Sequence, residues 1–183
     1  MRIITLAAIA ALIGFSVQAQ ETPNVTEQFP VGGVNNEPQE VVKETFEDWE
    51  IRCTGEGANC FMYQLMLNDK GTPVAEFSIV KLPMGSEAVA GATIVAPLGT
   101  LLTRGLVFVV DENEATQYPF TWCVRPGCFA RFGLTDLIVN SMESGNAVKI
   151  AIFSIADAQK PVEVTASLKG FSAAFAALQH QGQ

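Results

Sequence analysis

Four cysteines in two close pairs, Cys53 with Cys60 and Cys123 with Cys128, constrain this chain more than any other feature. They lie downstream of an export signal, and in an exported chain cysteines become crosslinks rather than thiols. Arg2 gives the signal its positive start, Ile3 to Val17 an apolar run, and Val17-Gln18-Ala19 the small-x-small pattern of a cleavage site. Residues 1–19 are therefore read as a signal peptide, with Gln20 as the mature N-terminus. The apolar run, about 15 residues, falls short of the roughly 20 that a helical span needs. No cysteine stands at the cleavage point to take a lipid. The expectation is a soluble exported protein, with no membrane span after cleavage.

Spacing decides what the cysteines do. Six residues separate the first pair and four the second, and neither matches the two-residue spacing of zinc knuckles or thioredoxin-like sites. Neither a metal centre nor redox catalysis is expected. Three connectivities are open to four cysteines. Local pairing is favoured, because Arg125-Pro126-Gly127 is a turn sequence that sets Cys123 facing Cys128 across a hairpin. In the chain-entropy model each short loop contributes about 2–2.5 kcal/mol and a long-range bridge about 4, but geometry decides which bridge forms. The expected disulfides are Cys53–Cys60 and Cys123–Cys128.

With 19 acids against 11 bases the formal charge is −8, and loss of Arg2 with the signal makes it −9. Such a chain is repelled by nucleic acids and anionic membranes, so nucleic-acid binding is not expected. Residues 20–43 are rich in Glu, Gln, Asn, Pro and Gly without hydrophobic period. They bury too little to offset their ordering entropy and read as a flexible acidic leader. The sequon Asn24-Val25-Thr26 inside it reads as a chance match. One domain is expected over 44–183, with its core at about 45–178, a comfortable single-domain size.

Within that domain most segments are short, β-branched or aromatic, and bounded by turn residues. Phe46 to Cys53 offers Phe46, Trp49 and Ile51 as inward positions. Phe61 to Leu67 alternates Phe61, Tyr63, Leu65 and Leu67 with Met62, Gln64 and Met66. The turn signal Asn68-Asp69-Lys70-Gly71 then joins it to Val74 to Val80 as a hairpin. Leu106 to Val110 reads as a central strand buried on both faces. Tyr118 to Cys123, Cys128 to Leu134, Ala147 to Phe153 and Val162 to Leu168 read as further strands. Only the tail, Phe171 to Leu178, carries helical spacing. The pattern is that of an all-β sandwich with a short C-terminal helix.

No catalytic constellation is present. The sole histidine, His180, lies in a polar tail, which leaves Ser-His-Asp and Cys-His chemistry without a base. No nucleophile elbow, zinc-protease motif, phosphate loop or dinucleotide fingerprint occurs, and no cofactor is implied. The acidic clusters at Glu44, Glu47, Asp48 and Glu50, and at Asp111, Glu112 and Glu114, follow no calcium-loop spacing and read as solvated surface. The candidate partner-binding residues are Trp122 and Arg125 beside the second cysteine pair, with Arg104 and Arg131 as neighbours. Exposed Trp and Arg are favoured interface anchors, whereas a Trp122 packed in a sandwich core would bind nothing. Met62 and Met66, on one strand face, are core fillers by default, or the lining of a small apolar ligand site.

The order of short motifs resembles a known family. Phe46-x-Asp48-Trp49-x-x-x-Cys53 is followed by Cys60 and Gln64, then by Pro97-Leu98-Gly99 with Gly105 and Asp111. Phe120, Cys123, Gly127-Cys128-x-Ala130 and Ser167-Leu168-x-Gly170-Phe171 complete it. This resembles the invasion-associated locus B family of bacterial envelope proteins, over nearly the whole predicted domain. The resemblance implies an immunoglobulin-like β-sandwich, no enzyme activity, and Trp49, Gly127 and Gly170 as framework positions. Its name comes from members linked to host-cell entry. The expectation is thus a non-enzymatic bacterial interaction module, periplasmic or secreted, with an envelope or extracellular protein as partner; the alternative is a periplasmic carrier of a small apolar ligand.

Overall fold

Alternating segments that are close in sequence pair with one another, and the computed structural model, which describes residues 40–55 and 59–178, shows how far that pairing extends. The strands are β1 (Glu40–Phe46), β2 (Trp49–Thr54), β3 (Asn59–Leu67), β4 (Pro73–Lys81), β5 (Ala90–Ala96) and β6 (Leu106–Val110). They continue with β7 (Thr116–Tyr118), β8 (Trp122–Val124), β9 (Gly127–Leu134), β10 (Ala147–Ser154) and β11 (Asp157–Ser167). Helix α1 (Asp136–Ser144) separates β9 from β10, and α2 (Phe171–Ala177) closes the described chain. The expected signal peptide 1–19, the part of the expected leader at 20–39 with Asn24, and His180 lie outside the described residues.

All pairings are antiparallel. The path runs β7-β6-β10-β11-β3-β4-β5-β9-β8, and the β1–β2 hairpin joins it through β3. A sheet of this length twists and curls, and the curl brings its two ends together. Tyr118 of β7 stacks on Phe132 of β9 with ring centroids 3.8 Å apart. Phe108 of β6 meets Phe132 edge-on at 5.4 Å and Phe77 of β4 at 6.3 Å. The inner face thereby closes on one core, with Trp49, Met62, Met66, Phe77, Leu106, Ile150 and Phe171 fully covered.

The all-β class and the C-terminal helix agree with the sequence reading. The hydrogen bonding joins the strands in one continuous curled sheet rather than in two separate ones.

Four local expectations need correction. Residues 40–43, assigned to the leader, belong to β1, where Glu40 pairs with Thr54 and Val41 with Cys53. Their side chains are exposed, so composition gave no sign of the backbone pairing that holds them. Helix α1 was not expected; it buries only Val139 and Met142, too few positions for a visible period. The stretch Tyr118 to Cys123 is not one strand, because Pro119, which lacks an N–H, separates β7 from β8. Strand β6 is interior but one-sided: Leu106, Phe108 and Val110 are buried while Val107 and Val109 are half-exposed.

Candidate functional site

The β8–β9 hairpin presents the aromatic and basic residues singled out in the sequence. Cys123 and Cys128 lie opposite each other in register and are bonded, as are Cys53 and Cys60 between β2 and β3. Pairing Trp122 with Phe129 puts both rings on one face, stacked with centroids 5.3 Å apart and planes 10° from parallel. Two residues further along β9, on the same face, Arg131 sets its guanidinium carbon 5.9 Å from the Trp122 ring centroid. Trp122 is 39% exposed. It is therefore neither a core residue nor a loose surface ring: one flat side rests on Phe129, and part of the ring stays exposed to solvent.

Arg125 occupies the exposed tip of the same hairpin. Neither Arg125 nor Arg131 forms an ion pair among the described residues. Arg104 stands apart from this group: it ends a single 3-10 turn before β6, and its guanidinium lies 4.3 Å above the ring of Phe153 on β10. The hairpin thus unites Trp122, Arg125 and Arg131, with Phe129 as a fourth member that sequence reading missed. The available signal was register, since a Cys123–Cys128 pair forces Trp122 opposite Phe129.

Met62 and Met66 have no exposure and pack within the core cluster. This is the core-filling role expected by default, and they line neither the trough on the outer face of β3 nor the shallow hollow beside Pro97-Leu98-Gly99. Their strand carries a second apolar row on its outer face, Tyr63, Leu65 and Leu67, which forms the floor of an open trough of about 740 Å³. Glu47, Asp48 and Glu50 line its hairpin side and Glu163 and Thr165 its β11 side. Burial, with the negative charge of Glu76 next, raises the Tyr63 hydroxyl pKa, despite the guanidinium of Arg52 lying 3.5 Å above its ring. The sequence signal for this trough was a strand apolar on both faces.

Asp111 departs from the solvated-loop reading. Its carboxylate accepts backbone N–H bonds from Asn146 at 2.9 Å and Ala147 at 2.9 Å. These bonds, that from Asn146 foremost, hold its pKa below the usual carboxylate value. It acts as a clamp between the end of β6 and the start of β10.

The framework positions also find physical reasons. Trp49 packs edge-on against Phe77 and Phe171, at 5.5 Å each, and donates its indole N–H to the Ser167 carbonyl at 2.9 Å. A Cβ on Gly127 would strike the Ala96 carbonyl oxygen, and one on Gly170 that of Phe46. Among the described residues no group of three His, Cys, Asp or Glu is placed to hold a metal ion.

A curled β domain stapled by two disulfides, its exposed aromatic and basic residues gathered on a crosslinked hairpin, defines a class of small disulfide-bonded β proteins. The chain belongs to the invasion associated locus B (IalB) protein family, which matches residues 49–179. Its fold is similar to the crystal structure of invasion associated protein B from Bartonella henselae, with a TM-score of 0.64 and 27% sequence identity. That similarity covers 73% of this chain and 93% of the Bartonella chain. No curated protein matches the sequence. The family and the disulfides point to an extracytoplasmic protein, and among the described residues no helix is long and apolar enough to cross a membrane.

Proposed function

We propose that this protein is an exported, non-enzymatic interaction module that engages another envelope or extracellular protein through the β8–β9 hairpin. One observation carries the reading: the half-exposed Trp122, stacked on Phe129 and flanked by Arg131, on a hairpin that a disulfide holds in shape. A ring ordered before contact loses little conformational freedom when a partner covers it, which is the property of a binding anchor. Arg125 and Arg131 add unpaired donors suited to carboxylates. The curl around one core serves as the rigid support, a variant of the immunoglobulin-like sandwich in which the two layers share continuous pairing. The family name supports a role at the cell envelope, with host-cell contact as its extreme case.

The carrier alternative is the weaker one, because the methionines that would line its site fill the core instead. Native mass spectrometry on protein purified from its own envelope fraction separates the two. A complex with a second polypeptide that Trp122→Ala abolishes, with the melting temperature unchanged, supports the interaction module. A small discrete mass that disappears on denaturation favours the carrier and overturns the present reading.

A further inference from the structure

We infer that the trough on the outer face of β3 is a second docking site, for an extended basic segment of a partner protein in which apolar residues alternate with lysine or arginine. It shares no residue with the β8–β9 hairpin and stands independently of the function proposed for it.

The floor is the first argument. Tyr63, Leu65 and Leu67 follow one another at every second position of β3 and point to the outer face, where Leu65 and Leu67 are each 41% exposed. Same-face residues of a strand recur about every 6.8 Å, the spacing at which an extended peptide presents its own alternate side chains. The floor therefore matches a chain lying along β3, rather than a compact apolar molecule.

Charge is the second argument. Five carboxylates line the trough, from Glu47, Asp48, Glu50, Asp69 and Glu163, against a single guanidinium. That guanidinium, on Arg52, is already engaged by Glu50 at 2.8 Å and Glu40 at 3.5 Å. Glu47, Asp48, Asp69 and Glu163 form no ion pair among the described residues. The walls thus leave several negative charges along the edge of an apolar strip that the β1–β2 hairpin and β11 share. The same balance argues against the chain's own leader as occupant, since residues 20–39 carry Glu21, Glu27 and Glu37 and no base. A second copy of so acidic a chain is likewise repelled at long range.

The test uses the mature protein and a fluorescent decapeptide alternating lysine with valine, with binding read by anisotropy near physiological salt. The expected result is saturable binding, weakened at least tenfold by Glu163→Gln with Asp69→Asn, and similarly by Leu65→Ser, whose side chain is exposed. A lysine–serine decapeptide should bind at least tenfold less tightly, and Trp122→Ala should bind as wild type. Glu112→Gln with Glu114→Gln, which removes the same charge elsewhere, should change affinity less than twofold. Equal weakening by that control pair, insensitivity to the trough substitutions, or no binding of the lysine–valine peptide overturns the proposal. Self-association in sedimentation that Glu163→Gln abolishes would overturn it in favour of a second copy. Should Leu65→Ser melt early, Leu67→Ser supplies the floor test.

Discussion

Gln64 and Ser167 hold each other by reciprocal hydrogen bonds: the Ser167 backbone N–H donates to the Gln64 side-chain oxygen at 2.7 Å, and the Gln64 amide donates back to the Ser167 carbonyl at 3.1 Å. The same amide donates to the Asp48 carbonyl at 2.8 Å. These bonds fill a junction in the sheet. One edge of β3 is shared by β2, which pairs up to Tyr63, and by β11, which pairs at Leu67. Between them a glutamine side chain does the work of a missing ladder rung, which explains a polar residue in a row otherwise made of Met62 and Met66.

Replacing Gln64 with leucine keeps the volume and removes those bonds, leaving the Ser167 N–H and Asp48 carbonyl without partners. Each buried unsatisfied group costs roughly 1–3 kcal/mol, so Gln64→Leu is expected to destabilise by about 2–4 kcal/mol. Urea unfolding checks this. A loss under about 1 kcal/mol, within the range of an ordinary neutral bond, would mean the junction is held by other contacts.

Two glycines with similar backbone angles separate conformational from steric constraint. Gly170 has φ 79° and Gly71 has φ 72°. A side chain at Gly71 would meet nothing within 4 Å, whereas one at Gly170 would meet the Phe46 carbonyl. Gly71→Ala should therefore cost only the left-handed penalty of about 1–2 kcal/mol. Gly170→Ala adds an overpacking term of about 1–3 kcal/mol and drives α2 from its seat. Equal losses in thermal melts would show that the contact between Gly170 and the β1–β2 turn contributes nothing.

Asp111 predicts a pH dependence. Its pKa is lowered by the N–H donors of Asn146 and Ala147, so the native state favours the ionised form. The resulting stabilisation is complete above the carboxylate's unfolded pKa and is lost as pH falls through its lowered folded value. Asp111→Asn keeps the shape without the titration. Wild type should exceed it in urea midpoint at neutral pH, and the gap should close in acid below the usual carboxylate range. A gap that stays constant down to strong acid would remove the clamp from the account.

Strand β8 has only three residues and a single neighbour, β9. Its hold therefore leans on the Cys123–Cys128 bond, for which loop closure predicts about 2 kcal/mol. Cys123→Ser with Cys128→Ser should lower stability by about that amount and speed amide exchange over residues 119–130 more than elsewhere. Exchange unchanged in that window would show the hairpin to be ordered without its crosslink.

How much of this was legible in the sequence differs by feature. The cysteine pairs, the turn at Pro126-Gly127 and the β3–β4 hairpin are local, and local chemistry reads directly from spacing. The junction at Gln64 is not local: its partners lie 16 and 103 residues away, so only a family resemblance singled it out. The trough was hidden for a related reason. Glu163 lines the same trough as the β1–β2 hairpin only because β11 reaches β3, a pairing that no period in either strand announces. Trp122 was placed on the correct hairpin, but its stacking partner Phe129 required the register. Helix α1 was missed because Leu137, at 80% exposure, breaks any apolar stripe.

The central claim is that the β8–β9 hairpin is where a partner protein binds. The direct measurement places a photo-crosslinking amino acid at Val124, on the hairpin and 48% exposed, and at Leu137 on α1 as control, in the cells that naturally make the protein. The account predicts a discrete polypeptide adduct from position 124, absent from position 137 and lost on adding Trp122→Ala. No adduct from position 124, or the same adduct from both positions, would contradict it.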